Sequence, residues 1–517
     1  MNQTLTNTFS HPVIEENQIV AKKLCAIEIL LDAFHDWGIN YCHWKSNEHL
    51  NASMTADTDL DILFDINQKQ VLEILLHAHG FKKFISIKQK QYRNIEDFLG
   101  MDFQSGKVIH VHAHFRLTLG EPFLKSYQLD LEEKILGSRV FDKEYLLYRI
   151  HPAYELILLF IRESLKIRTR DLLKMKLRNR IDLSENILRE YRWIRQHCNN
   201  LEIFNLVGDI FTDHTSVYRL VTGDFNRKEL FTLSLLLRKE FRTQRLYSPF
   251  RALLLRWYRE ITVKISRRAA VLLNRPVISR RNHPQGGLVI AVIGADGSGK
   301  STVISNLQQT FKSKLDVYRV YMGRGDGSMS YFRKIVQRMK TGISPEKLNK
   351  KAKENKQFDQ GKKGFAYTCY KCVIALAVAF EKRANLKRIR AAKKAGMMVI
   401  CDRFPQNQFM GFNDGPLLHS LISSRNPIFR VLSKIEAKIY EQAQSNPPDL
   451  VFKLIADAEI VEARKPHETS LQKLQTKING IRKMHFSERC TVIPVNAAEP
   501  LPKVLETIKR TIWDAYP

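Results

Sequence analysis

Apolar residues recur at helical spacing between Glu15 and Asp36, with Ile19, Val20, Leu24, Ile27, Leu30, Leu31 and Phe34 forming one stripe, which predicts an amphipathic helix. The period then shortens to two. Ile39 to Trp44 reads as a strand running into Lys45 and Ser46, and Thr58 to Phe64 reads as a second strand on which Asp59 and Asp61 share a face. Val108 to Phe115 alternates again, with Ile109, Val111, Ala113 and Phe115 toward a core and His110, His112 and His114 on the other side. After Gly120-Glu121-Pro122 the spacing becomes helical, and from Tyr154 a long basic stretch predicts a helical subdomain. Its last segment, Phe250 to Leu273, mixes aromatic and aliphatic residues with arginines. That pattern suits a helix lying on a membrane surface or an interdomain helix with one buried face; the interdomain role is the expectation. Arg275 to Gly287 holds proline, glycine and charge with little periodicity and reads as a linker. Beyond it come two continuous apolar runs, Leu288–Ile293 and Met397–Cys401, that read as buried strands. A Lys-rich insertion from Phe332 to Gly396 separates the two.

Length and charge sharpen this outline. A chain of 517 residues, 44% hydrophobic, can bury more than one core and suggests about three domains. The formal net charge of +30 calls for an anionic partner: nucleic acid, an anionic membrane face or phosphorylated substrates. Residues 162–281 alone carry 27 Lys and Arg against 12 Asp and Glu, so the excess concentrates in the helical middle, the segment expected to make any peripheral contact with anionic membrane or nucleic acid. Seven cysteines with no framework spacing fit a reducing compartment, and Cys369 and Cys372, lacking a second pair, read as two ordinary helical cysteines. The first residues lack the basic-then-apolar order of a signal peptide, and no run of about 18 apolar residues occurs. The expected location is cytoplasmic, with the inner membrane face as a peripheral site.

Chemistry enters where the first apolar run breaks. Gly294-Ala295-Asp296-Gly297-Ser298-Gly299-Lys300-Ser301-Thr302 follows a strand and opens a helix, as a P-loop requires. Glycines let backbone N–H groups close on phosphate oxygens, Lys300 reaches the terminal phosphates of ATP, the Ser301 hydroxyl ligates Mg²⁺, and the following helix points its positive end at the anion. With Asp296 two residues after the first glycine, the loop resembles that of the thymidylate kinase family, in which this Asp faces the phosphate acceptor. Asp402-Arg403-Phe404, at the end of the second apolar run, is similar to the family's acceptor-site motif. The segment Pro448–Ile455 and a helix bearing Arg464 and Lys465 look like its late strand and phosphate-covering lid. The resemblance spans residues 286–515. It implies that Asp296, Asp402 and Arg403 position the acceptor while Arg464 neutralises charge on the transferred group. Tyr321–Gly327 and Pro405–Pro416 depart from the family's acceptor-side sequences, so thymidylate is not the expected acceptor.

A turn carrying Ser46, followed about a dozen residues later by Asp59-Leu60-Asp61, resembles the polymerase-β type of nucleotidyltransferase. There the turn, here Lys45-Ser46, holds nucleotide phosphates, and the paired carboxylates hold Mg²⁺. The third carboxylate of that family is replaced by the histidine strand. His112 in its position favours a transition ion, which makes Mn²⁺ the alternative metal beside Asp59 and Asp61. The bland readings are a solvated strand end and a polar strand face. The two likenesses together are similar to bacterial fusion proteins of surface-polysaccharide gene clusters.

The expected architecture is therefore α/β: an α+β nucleotidyltransferase-like domain over residues 1–135, a basic all-helical middle and linker over 136–280, and a doubly wound, parallel-sheet P-loop kinase domain over 286–517. The expected activity is ATP-dependent, Mg²⁺-assisted phosphoryl transfer to a nucleotide-like or sugar- or lipid-phosphate acceptor. Two alternatives stand beside it. In one, the N-terminal domain is the nucleotidyltransferase and the P-loop domain regulates it. In the other, the chain is an ATP-gated binding module.

Overall fold

The structure is a computed structural model that describes residues 23–168, 171, 183–323, 365–411, 413–466 and 470–516. The start of the first expected helix, residues 324–327 of the loop after the P-loop domain's second strand, and residues 332–364 of the insertion lie outside the described residues.

Two sheets organise the chain. The first has eight strands: β1 (Tyr41–His43), β2 (Leu60–Phe64), β3 (Lys82–Ser86), β4 (Ile95–Asp102), β5 (Lys107–His114), β8 (Val140–Asp142), β9 (Leu147–Arg149) and β10 (Arg281–Asn282). They lie in the order β10-β3-β4-β5-β2-β1-β9-β8, and a small hairpin of β6 (Leu117–Leu119) and β7 (Tyr127–Leu129) stands apart. Period two holds as expected: Leu60, Ile62, Phe64, Ile109, Val111, Ala113 and Phe115 are buried against Ile27, Leu30, Leu31 and Phe34 of the helix Cys25–Asp36. The sheet does not stop at residue 135. Strands β8 and β9 extend one edge, and β10, from the expected linker, pairs antiparallel with β3 at the other, Arg281 opposite Ser86. The carboxylate of Asp316 fixes that segment by accepting the backbone N–H groups of Ser279 and Arg280.

The second sheet is wholly parallel: β11 (Val289–Gly294), β12 (Val317–Tyr321), β13 (Met398–Asp402), β14 (Leu450–Ile455) and β15 (Thr491–Asn496), in the order β12-β13-β11-β14-β15. Strand β11 is central and buried throughout, which explains its unbroken apolar sequence. Helices Lys300–Lys312, Phe365–Lys394, Leu471–Lys483 and Leu501–Asp514 accompany it. Cys369 and Cys372 lie on the second of these, and all seven cysteines are free thiols.

The expected all-helical span 136–280 opens with strands β8 and β9, and from Pro152 on its described residues are helical as the periodicity predicts; the buried helix Pro152–Lys166 packs on Trp44 and Leu63 of the first sheet. The last middle helix, Pro249–Leu272, departs from the interdomain expectation, since Arg256 and Val263 are its only buried side chains. The two sheets meet directly. Phe84, Leu99, Met101 and Val108 of the first share one apolar core with Phe311 and Trp513 of the second unit. The Trp513 indole N–H donates to the Gly80 carbonyl at 2.9 Å, and its ring stacks with those of Phe84 and Phe311. Among the described residues no helix is long and apolar enough to cross a membrane.

Candidate functional site

The loop after β11 turns on Gly297 and Gly299, both at φ +89°, a conformation that side chains resist. Gly294 is needed for space: a Cβ there would lie 2.4 Å from Ser298 Oγ and 2.9 Å from the Leu454 carbonyl. The loop feeds the helix Lys300–Lys312, whose cap is Gly299, so the first-turn amides, Ser301 and Thr302 gather at its positive end. The Ser298 hydroxyl is buried without a hydrogen-bond partner. Lys300 is buried too, donating to the Ala295 carbonyl at 2.6 Å and lying 3.7 Å from Asp296. Burial, aided by nearby Arg403 and opposed by Asp296 and Asp402, lowers its pKa to about 8. A cradle of amides with an orphan hydroxyl and a half-satisfied lysine suits the phosphates of ATP.

Strand β13 lies beside β11 with Asp402 level with Val292, so Asp402 and Arg403 leave the sheet at the carboxyl end, next to the loop. Burial raises the pKa of Asp402 against the pull of Lys300 and Arg403. Arg403 takes an unusual positive φ of 69° and bonds Asp296 with one nitrogen while the other lies 3.4 Å from Asp414. Burial opposes its charge, but Asp414 and Asp296 outweigh it and raise its pKa further. Lys477, from the helix Leu471–Lys483, stands 3.8 Å from the other Asp296 oxygen. Burial works against ionisation of Asp296, and Arg403, Lys300 and Lys477 nonetheless hold its pKa below the usual value. Arg464, exposed at the end of the helix Ala458–Arg464, lines a pocket with Ser298, Gly299, Thr302, Ala497 and Glu499. The sequence reading thus locates Gly294, Asp296, Lys300, Asp402, Arg403 and Arg464 at one cleft. It misses Lys477, whose partner Asp296 lies far away in the chain, and Asp414, which meets Arg403 only 11 residues before it but stands in a segment with no periodicity to aim it.

A five-stranded parallel sheet and a glycine loop between its central strand and a helix define a P-loop nucleotide-binding domain. No family model matches the chain. It is 28% identical over 225 residues, 43% of its length and 86% of the relative's, to the uncharacterized ATP-binding protein YghR of Escherichia coli strain K12. It is 27% identical over 229 residues, 44% of its length and 93% of the relative's, to the uncharacterized ATP-binding protein YghS of the same strain. Among solved structures, deoxyadenosine kinase from M. mycoides with bound dATP aligns with 44% of this chain and 98% of its own, at 15% identity and a TM-score of 0.25.

The first sheet carries a second polar cluster, arranged differently from the expectation. Strand β2 pairs in parallel with β5, placing Asp61 level with His112, and β4 brings Asp97 to the far side of the histidines. Asp61 Oδ1 lies 2.9 Å from Lys45 Nζ, 2.8 Å from His112 Nδ1 and 3.7 Å from His114 Nε2. Asp59 does not join them. Its Oδ1 meets His110 Nδ1 at 2.9 Å and Lys314 Nζ at 2.7 Å, with Arg281 at 3.9 Å from Oδ2. Asp97 completes that second group, 2.8 Å from His110 Nε2 and 2.9 Å from Arg281 Nε. The structure groups the ligands differently from the expected set of Asp59, Asp61 and His112: Asp61, His112 and His114 have ligand atoms within 4.8 Å of one another, whereas Asp59 is paired with Lys314 from beyond the sheet and with Arg281 of β10. Burial, aided by Lys45 and His110 at His112 and by His112, Lys125 and Lys45 at His114, lowers both pKa values against the pull of Asp61 and favours the neutral imidazoles that can ligate. Ser46 follows β1 in a left-handed turn at φ 59°, but its hydroxyl reaches Glu190 of the middle helices at 3.4 Å. The next residue, Asn47, is clamped by the Glu155 carboxylate at 3.0 and 2.8 Å.

Proposed function

We propose that the chain is an ATP-dependent phosphotransferase whose chemistry takes place at the P-loop cleft. The observation that carries the reading is the convergence of Lys300, Asp296, Asp402 and Arg403 at the adjacent carboxyl ends of β11 and β13. The loop amides from Gly294 to Thr302 and Lys300 would hold the phosphates of ATP, and Ser301 and Asp402 offer hard oxygen ligands to Mg²⁺, which would draw charge from the phosphates when bound. Asp296, oriented by Arg403 and Lys477, can accept a hydrogen bond from an acceptor hydroxyl and hold it toward the loop. Arg403, tied on both sides by Asp296 and Asp414, orients that carboxylate and offers a fixed positive charge to a phosphate-bearing acceptor. Arg464, exposed at the pocket rim, is free to swing onto the transferring group. The names of YghR and YghS as ATP-binding proteins agree with this donor. The acceptor class is a nucleotide-like or sugar- or lipid-phosphate compound.

Incubation with γ-labelled and α-labelled ATP and a panel of nucleosides, nucleotides and sugar phosphates tests the proposal. Label leaving from the γ position into an acceptor, lost in Asp296→Asn, supports it. Label from the α position assigns catalysis to the first sheet, and no transfer from either position refutes a catalytic role. A second reading, nucleotidyl transfer by the first sheet, is favoured by one observation: Asp61, His112 and His114 converge beside Lys45. These are nitrogen and oxygen donors suited to Mn²⁺ or Zn²⁺ more than Mg²⁺.

A further inference from the structure

The helix Pro249–Leu272 is amphipathic in the reverse of the usual sense. Residues on its inward side anchor it: Arg256 lies 3.5 Å from Glu121, Arg259 donates to the Phe123 carbonyl at 3.1 Å, and Glu260 meets Arg168 at 3.2 Å. At 3.6 residues per turn, Phe250, Leu254, Trp257, Tyr258, Ile261 and Ile265 fall on the opposite side. All six are exposed, Phe250 by 72% and Tyr258 by 65%, and Leu272 prolongs the stripe to the helix end. Arg251 and Arg268 are exposed along the same outward half, while Lys264 at its edge pairs with Glu260 at 2.9 Å, and that acid, the only one of the helix, also meets Arg168.

A soluble protein rarely leaves so continuous an apolar strip in water without a use for it. The strip is about 36 Å long at 1.5 Å per residue, and it stands on a convex rod rather than in a groove. A bilayer surface accepts that shape: leucine, isoleucine and aromatic rings enter the acyl boundary while flanking lysine and arginine reach lipid phosphates. The charge decides the lipid. Exposed cations beside the strip, on a chain of net charge +30, require an anionic surface and disfavour a zwitterionic one.

We propose that the helix Pro249–Leu272 is a peripheral membrane anchor that lies in the headgroup region of anionic bilayers and brings the P-loop cleft to the membrane surface. The proposal is independent of which group the cleft phosphorylates.

The test is sedimentation of the full chain with vesicles of phosphatidylcholine alone and of phosphatidylcholine with phosphatidylglycerol. Binding is expected only to the mixed vesicles, weakening as salt is raised. The triple variant Leu254→Glu, Ile261→Glu, Ile265→Glu should lose at least about tenfold in affinity, because apolar insertion supplies much of the binding. Arg251→Gln with Arg268→Gln should weaken binding by a similar factor while keeping the apolar strip. Both variants should retain wild-type ATP affinity and thermal stability, since every changed side chain is exposed. The proposal is overturned if the wild-type chain stays in solution with the mixed vesicles, or if the apolar variant binds them as well as wild type. It is equally overturned if that variant instead breaks a dimer or lowers stability, outcomes that would assign the strip to a second copy or to another part of the chain.

Discussion

The protonation of Lys300 should set the upper pH limit of nucleotide binding. Burial holds its pKa at about 8, against 10.5 for an ordinary lysine, so the ligand-free cleft is about nine-tenths charged at pH 7 and about one-tenth charged at pH 9. If ATP binds the ammonium form, its association constant is level below pH 8. Above that it falls about tenfold per pH unit until the pKa that lysine takes beside the phosphates is passed. Recovery of the ordinary value on binding would extend the fall over about 2.5 units, a total of about 3 kcal/mol. Calorimetric titration of ATP between pH 7 and 10.5 measures this directly. Lys300→Arg keeps its charge throughout and should give a flat profile, and Lys300→Ala should bind weakly at every pH without unfolding. For the folded state the sign is opposite: the unfolded lysine keeps its proton longer, so the ligand-free chain gains stability as pH rises from about 8 to 10.5. A wild-type affinity unchanged between pH 7.5 and 9.5 would refute the idea that a buried ammonium grips the phosphates.

Other consequences are as direct. Trp513→Ala removes a ring buried between the two units and leaves the Gly80 carbonyl unpaired, for a cost of about 3–5 kcal/mol. Hydrogen exchange should show amides of both β4 and β13 losing protection, and loss confined to β13 would mean the units fold separately. Thymidylate should be turned over poorly or not at all, because the departing segment 405–416 places buried Asp414 against Arg403 on the acceptor side; rapid turnover in a coupled ADP assay would contradict this. Titration of the full chain with Zn²⁺ or Mn²⁺ should reveal a site lost in Asp61→Asn with His114→Ala and retained in Asp59→Asn. Equal loss in Asp59→Asn would restore the paired-aspartate site.

What the sequence made legible was local. The P-loop occupies nine consecutive residues, and Asp402-Arg403 ends a strand that can only be buried, so chain order alone placed both. The histidine strand was likewise visible through period two, including the inward set Ile109, Val111 and Ala113. What escaped depends on partners remote in the chain. Nothing near Asp59 foretells Lys314, 255 residues later, and Asp97 looks like any strand-end carboxylate until β4 is laid against β5. The supposed linker conceals β10 because a two-residue strand has no period to detect. For the helix Pro249–Leu272 the stripe itself was evident, but periodicity names two faces and is silent on which one the fold covers.

The common core has a consequence for genetics. Leu99 and Met101 on one sheet and Trp513 beyond the other are parts of a single packed interior, and Lys314 ties Asp59 across the same junction. An allele that unfolds either half will therefore silence both, so the position of a destabilising substitution says little about where the chemistry resides. Truncations will mislead in the same way, since a cut near residue 280 strips β3 of its neighbour and bares apolar side chains that the intact chain never shows to water. Alleles that can assign an activity are those altering Lys300 or Asp61, whose side chains face their own clefts and leave the junction whole.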